Sequence, residues 1–180
     1  MNGKQKIAEQ SRVWLWESLL KLLETNDYSE ITITEIAQHA DLTRKTFYNS
    51  FKNKDELLAY GYLKIIDTFI HEMVKIPLTE RTAEHSLELF VNFWWDQKSF
   101  IQLLMRKKIY QKFMEVWQEQ AINRYLEYNT TWKSNDPLEN KFQASFVFGG
   151  LSNILATWLS SDEPMPPDQM MELIMKIIPK

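Results

Sequence analysis

No cysteine occurs anywhere in the 180 residues. Disulfides and thiolate metal sites are therefore excluded, and a reducing compartment is permitted. The three histidines, His39, His71 and His85, lie far apart, and none has the H-x-x-x-H or His/carboxylate spacing of a helical zinc site, so no metal and no cofactor is expected. Long apolar runs are missing too: charges interrupt every cluster well short of the roughly 20 residues that span a membrane. The N-terminal MNGKQKIAEQ has no apolar h-region. Together these absences predict a cytoplasmic protein with no membrane partner. There is also no Gly-rich phosphate loop, no nucleophile elbow and no His and carboxylate at catalytic spacing. No enzyme is expected, and Glu84, Glu88 and Glu115 fit solvated helix faces.

Glycine and proline are scarce, at 4 and 6, while apolar residues recur at spacings of three and four, and no strand-like alternation competes. The expected fold is all-α with about nine helices. Trp16, Leu19, Leu20 and Leu23 make a stripe on a first helix, from about Lys6 to Thr25, that stops at Asn26-Asp27, two residues that tolerate the left-handed conformation. Thr32-Ile-Thr-Glu35 fits a capping box that starts a short helix to about Ala40. Asp41-Leu42 turns the chain, Thr43 caps a second short helix, and Asn53 with Glu56 repeats the signature. Three helix starts in about two dozen residues describe a helix-turn-helix unit. From Lys54 a long helix carries Leu58, Tyr62, Ile65, Ile66, Phe69, Ile70 and Met73 to Ile76-Pro77, where Pro77 to Arg81 reads as a linker. Domain limits are therefore set at 1–53, 54–76 and 77–180. Further helices follow, one from about Arg106 to Tyr128. After the polar TTWKSNDP come Leu138 to about Ser160 and about Pro166 to Ile178, and this last pair is expected to pack as an antiparallel hairpin.

The stretch LTRKTFYNSFKNKDELL, Leu42 to Leu58, holds the chemistry. Between Gln38 and Lys54 four cations, Arg44, Lys45, Lys52 and Lys54, face one carboxylate, Asp41, giving +3 within a chain of net charge −3. In a helix-turn-helix the second helix lies in the major groove while neighbouring cations and helix N-termini grip phosphates. Phe47 is expected to face inward with Ile36, Ala37 and Leu42. Thr43, Arg44, Lys45, Tyr48 and Asn49 then face the groove: Arg and Lys suit guanine, Asn suits adenine, and Tyr and Thr hydroxyls suit phosphate. Lys54 opposes the dipole of its own helix, which is sensible if a phosphate lies opposite.

In one register, Tyr28, Thr32-Ile-Thr-Glu-Ile-Ala37, Ala40-Asp-Leu-Thr43-Arg-Lys-Thr-Phe-Tyr48, Phe51 and Lys54-Asp-Glu-Leu57-Leu58 closely resemble the DNA-binding domain of the TetR family of transcriptional regulators. The tail FVFGGLSNILATWLSSDEPMPPDQMMELI resembles the last two helices of a branch of that family. The resemblance implies a dimer with three N-terminal helices for DNA, a linking fourth helix, and a C-terminal domain that binds a small effector and dimerises through its final two helices. It places Thr34, Thr43, Tyr48 and Lys54 where the phosphate backbone is commonly held, and Arg44, Lys45 and Asn49 where bases are commonly read, with Thr46 in the same helix. Two positions depart from the pattern: Asp41 stands where the turn usually has Gly, and Lys45 where a small residue is frequent. The implied partners are double-stranded DNA as a pseudo-palindromic operator, a second copy of the chain, and an unidentified small apolar or aromatic effector. The implied role is a one-component repressor released by that effector. The alternative is a coactivator or helical adaptor of the same fold that contacts a protein partner.

Aromatics crowd the middle of the chain. Phe90, Phe93, Trp94, Phe100, Tyr110, Phe113 and Trp117, with Trp95, Tyr125 and Tyr128 near them, either wall an apolar ligand cavity, with Asn92 or Gln102 orienting the guest, or form plain core. Gly149-Gly150 inside an apolar helix costs roughly 1 kcal/mol per residue relative to Ala, which suggests a close approach. Either another helix of the same chain or the facing helix of a second subunit fits, with Phe146, Leu151, Ile154, Leu155, Trp158, Met171, Ile174 and Ile178 beside it.

Overall fold

In the computed structural model the described residues are 3–127 and 134–177. They form α1 (Gly3–Thr25), α2 (Ile33–His39), α3 (Arg44–Tyr48), α4 (Lys54–Lys75), α5 (Ala83–Asp96), α6 (Lys98–Arg106), α7 (Tyr110–Glu127), α8 (Pro137–Leu159) and α9 (Pro167–Ile177), with no strand among them. Tyr128 and Ile178, and the side chain of Tyr125, lie outside the described residues.

Local capping explains most of the helix starts. Thr32, Thr43, Asn53, Thr82 and Asp136 each sit in extended backbone and accept an amide from the first turn. The end of α1 differs from expectation. Neither Asn26 nor Asp27 is left-handed; among the described residues only Asp41 (φ 54°) and Lys108 (φ 56°) are. Asn26 instead returns both its backbone amide (2.9 Å) and its Nδ2 (3.0 Å) to the carbonyl of Leu22, so the helical bond is doubled by the side chain and the end needs no reversed backbone.

The long α4 is the axis of the molecule. Its buried Leu57, Leu58, Tyr62, Ile66 and Phe69 belong to one continuous core that takes in Leu15, Leu19, Ile36 and Phe47 on one side and Trp94, Leu104, Phe113 and Trp117 on the other. α1 crosses α4 at Gly61, where an added Cβ would stand 2.3 Å from Trp16 Cδ2 and Cε3. Glycine is required there by close approach.

The expected antiparallel hairpin of the last two helices is replaced by a different arrangement. α8 packs on α7, and α9 packs chiefly on α5, burying Met170 and Ile174. Trp158 supplies the reason. Its ring stacks on Trp95 of α5 at 5.6 Å and 16°, and its Nε1 donates to the carbonyl of Met165 at 2.7 Å, which pins the connection so that α9 runs over α5.

Candidate nucleic-acid interface

The helix-turn-helix is assembled by short-range bonds. The capping box closes on both sides: Thr32 N donates to Glu35 Oε2 at 2.7 Å, and Glu35 N donates to Thr32 Oγ1 at 3.2 Å. Asp41 takes the left-handed turn in the position where glycine is usual, and the Leu42 amide reaches back to the Ala37 carbonyl at 2.8 Å, which ends α2 as a Schellman motif. Thr46 N then donates to Thr43 Oγ1 at 3.1 Å, starting α3. Beneath these helices Ser18 of α1 donates to the Ile36 carbonyl at 2.8 Å, satisfying a buried hydroxyl.

Phe47 is fully buried with Ile36 and Ala37, and Leu42 is half-buried beside them. That anchor turns the other side of α3 outward: Thr43, Arg44, Lys45, Tyr48 and Asn49 are exposed, Thr46 is half-buried, and Thr34 is half-buried on α2. The Arg44 guanidinium lies 5.9 Å from the centre of the Tyr48 ring, so a cation and a hydroxyl-bearing ring share one outward patch. An exposed short helix with a cationic start and a buried aromatic keel has the shape that enters a major groove.

Lys54 behaves differently from the sequence expectation. Its Nζ donates to the carbonyls of Tyr28 (2.5 Å), Ser29 (3.2 Å) and Ile31 (2.9 Å) and stands 4.6 Å from the centre of the Tyr28 ring. Three ammonium protons meet three carbonyls, so in this conformation the charge is committed to the α1–α2 loop instead of to an outside phosphate. A cation at a helix N-terminus has here found an internal purpose.

The seven residues singled out as pocket walls do come together. Trp94 meets Trp117 at 5.2 Å and 88° and Phe113 at 5.6 Å and 74°; Phe90 and Phe93 flank Trp94, and Phe69 of α4 touches all three and Trp117. Phe100 continues this network to Trp16 and Tyr62, and Tyr110 packs on Phe113 at 6.1 Å. Trp94 Nε1 and Tyr110 Oη are buried with no hydrogen-bond partner among the described residues, and burial raises the Tyr110 hydroxyl to about 12. Neither suggested orienting residue joins them: Asn92 is exposed, and Gln102 donates to the Ser161 carbonyl at 3.1 Å.

On α8 the structure sorts the residues suggested for the subunit interface. Phe146 is 80% exposed, Leu151 and Ile154 are half-buried, and an added Cβ at Gly149 or Gly150 meets nothing within 4 Å. No described helix of the same chain makes a close approach there. Trp158 and Ile174 are instead covered within the chain, and Met171 is half-buried against its core. The face also includes Leu138 and Phe142, which sequence reasoning missed although 138, 142 and 146 follow the i, i+4 rule.

A family model described as "Transcriptional regulator C-terminal region" matches residues 81–180, and one described as "Bacterial regulatory proteins, tetR family" matches residues 17–60. Among curated relatives, the uncharacterized HTH-type transcriptional regulator YxbF of Bacillus subtilis is 22% identical over 96% of this chain. The chain covers well under two thirds of the curated relatives it matches first, 46% of YxbF. Among solved structures, Lin0861 of Listeria innocua superposes with a TM-score of 0.72 at 18% identity, covering 98% of this chain and 93% of that one. The multidrug binding protein EbrR, complexed with malachite green, superposes with a TM-score of 0.62 at 14% identity, covering 94% and 98%. At these identities the structural likeness shows the fold.

Proposed function

This chain belongs to the TetR family of bacterial transcriptional regulators, and we propose that it is a one-component repressor that works in the cytoplasm as a dimer on a pseudo-palindromic operator. The observation that carries this reading is the outward face of α3, with Arg44, Lys45 and Tyr48 exposed around a buried Phe47. Arg44, Lys45 and Asn49 read base edges; Thr34, Thr43, Thr46 and Tyr48 hold the phosphate backbone. A second copy docks on the exposed face of α8 through Phe146, Gly149, Gly150, Leu151 and Ile154, with Met171 at its border, and so sets the spacing of two recognition helices.

The effector is a small, largely apolar or aromatic molecule that opens the ring cluster of α5 to α7. A buried N–H or O–H without a partner costs about 1–3 kcal/mol. A guest with a hydrogen-bond acceptor meets that need at Trp94 Nε1 and Tyr110 Oη, and its binding weakens operator affinity by its preference for a conformation with the wrong half-site spacing. No described helix is long and apolar enough to cross a membrane.

The test is fluorescence anisotropy on DNA from upstream of the protein's own gene against a scrambled duplex, across a salt series. Tight, sequence-dependent binding that falls steeply with salt is the expected result. In the same assay Arg44→Ala relaxes choice at particular base positions by about 1–3 kcal/mol. Equal binding to both duplexes by the wild type overturns the operator-reader assignment and redirects the search to a protein partner.

A further inference from the structure

The mechanism so far makes no use of a group of polar contacts between the DNA-binding helices and the first turn of α7. Asp55, in the first turn of α4, accepts on one oxygen from both Tyr28 Oη (2.8 Å) and Lys112 Nζ (2.7 Å). Lys112 belongs to α7, 57 residues away in sequence. Its ammonium lies 5.8 Å from the centre of the Tyr28 ring, whose other neighbour is Lys54. Just upstream, Lys107 faces Asp27 at 3.7 Å, and Tyr62 Oη of α4 donates to the Ile109 carbonyl at 3.4 Å. The turn between α6 and α7, made with Lys108 left-handed, and the first turn of α7 are thus tied to residues 27 and 28 of the α1–α2 loop and to Asp55 and Tyr62 of α4.

That loop leads directly into Thr32, the cap of α2, and α2 is rigidly joined to α3 through the Asp41 turn. Any shift of residues 27–31 relative to α7 therefore carries the recognition helix with it. α7 also bears Tyr110, Phe113 and Trp117, three of the rings expected to meet an effector. One helix start touches both the ring cluster and the reader.

We propose that Lys112 and Asp55 are positioning residues of the DNA reader: through Tyr28 they clamp the α1–α2 loop to the first turn of α7 and so set the orientation of α3 on the C-terminal helices. This rests on the reading of the chain as an effector-responsive DNA regulator. The clamp acts on orientation and not on folding. Lys112 and Asp55 side chains are 48% and 56% exposed, and an ion pair so solvated contributes little to global stability. A role in holding an angle is a separate matter, since it needs only that the two ends be kept apart from other arrangements.

The experiment compares full-length wild type with Lys112→Met, Asp55→Asn and the conservative Lys112→Arg. Two readouts are taken: backbone amide exchange resolved by segment, and anisotropy on a duplex that the wild-type protein has selected from a random library. In Lys112→Met and Asp55→Asn, exchange speeds up across residues 27–42 while α8 keeps its protection. Affinity for the selected duplex changes at least about fivefold, the salt slope stays at the wild-type value because no phosphate contact is lost, and Tm near neutral pH drops only slightly, by no more than about 2–4 °C, as the solvated pair's small contribution is lost. Lys112→Arg restores both readouts. Wild-type exchange and wild-type affinity in Lys112→Met overturn the clamp and leave a solvated ion pair. A salt slope reduced by about one also overturns it, since Lys112 would then be touching DNA. If the wild type selects no duplex, the DNA reading fails, and the exchange comparison still decides the clamp by itself.

Discussion

Gly61→Ala sets two physical effects against each other at the crossing of α1 and α4. Helix propensity favours the change by roughly 1 kcal/mol, because glycine in a helix interior surrenders more backbone freedom than alanine. Packing opposes it. The new Cβ would lie 2.3 Å from Trp16 Cδ2 and Cε3 and 2.4 Å from Cε2, over an ångström inside ordinary contact and against the middle of a ring instead of the tip of a flexible chain. The indole has nowhere to retreat: it is 8% exposed, and Tyr62 and Phe100 each meet it edge-on at 6.2 Å. Overpacking a core of this kind costs about 1–3 kcal/mol, and three simultaneous clashes with a boxed-in ring place this site at the top of that range. The net loss is about 2 kcal/mol, and Tm falls by about 4–8 °C for a chain of this length. Thermal unfolding followed by circular dichroism measures it. A Tm that rises by a few degrees, as propensity alone demands, refutes the packing argument. Phe100 lies on α6, so the same substitution disturbs the junction between the reader and the C-terminal helices, and operator affinity should drop with stability.

Lys54→Met keeps the aliphatic stem and removes three charge-assisted bonds to the α1–α2 loop; chemical denaturation should show a loss of about 1–2 kcal/mol, with the salt dependence of DNA binding unchanged. A slope smaller by about one unit would mean that the ammonium leaves the loop for a phosphate. Phe146→Glu sits on an 80% exposed residue, so the fold persists while sedimentation shifts toward monomer; a dimer of unaltered strength would remove α8 as the docking face. Acid behaviour follows from two carboxylates. Asp55 is held below the usual carboxylate range by its bonds from Lys112 and, less strongly, Tyr28, and Glu9 by Lys64 and Tyr60. Depressed values mean that their stabilisation is complete above the ordinary carboxylate pKa of about 4 and is lost as pH falls below it. In a pH series of denaturation midpoints, Asp55→Asn should flatten that acid limb, and an unchanged limb would show that the Asp55 bonds do not persist in solution.

The caps and turn of the helix-turn-helix were legible at the level of single residues because their signals are local. Thr32 with Glu35, Thr43 with Thr46 and Asn53 with Glu56 are each closed within three residues, and Phe47 is buried together with Ile36 and Ala37, as expected. The linking helix was legible as well, with its start at Lys54 and its stop before Pro77. Of the exposed stripe on α8, Phe146 was expected while Leu138 and Phe142 were not, because an i, i+4 apolar spacing does not say whether a face is covered within the chain.

What the sequence by itself determined is therefore the set of helices, their caps and the outward chemistry of α3, since a capping bond or a helical period is satisfied by neighbours along the chain. Tertiary structure alone decided the partners of those helices. It set α9 on α5 through the Trp95–Trp158 stack, turned Trp158 and Ile174 inward, gave Lys54 three carbonyls more than twenty residues away, and brought Lys112 to Asp55. An amphipathic pattern states that a face must be covered or a charge paired, but many partners answer that demand equally well in one dimension. Only the packing of all the helices around α4 selects among them.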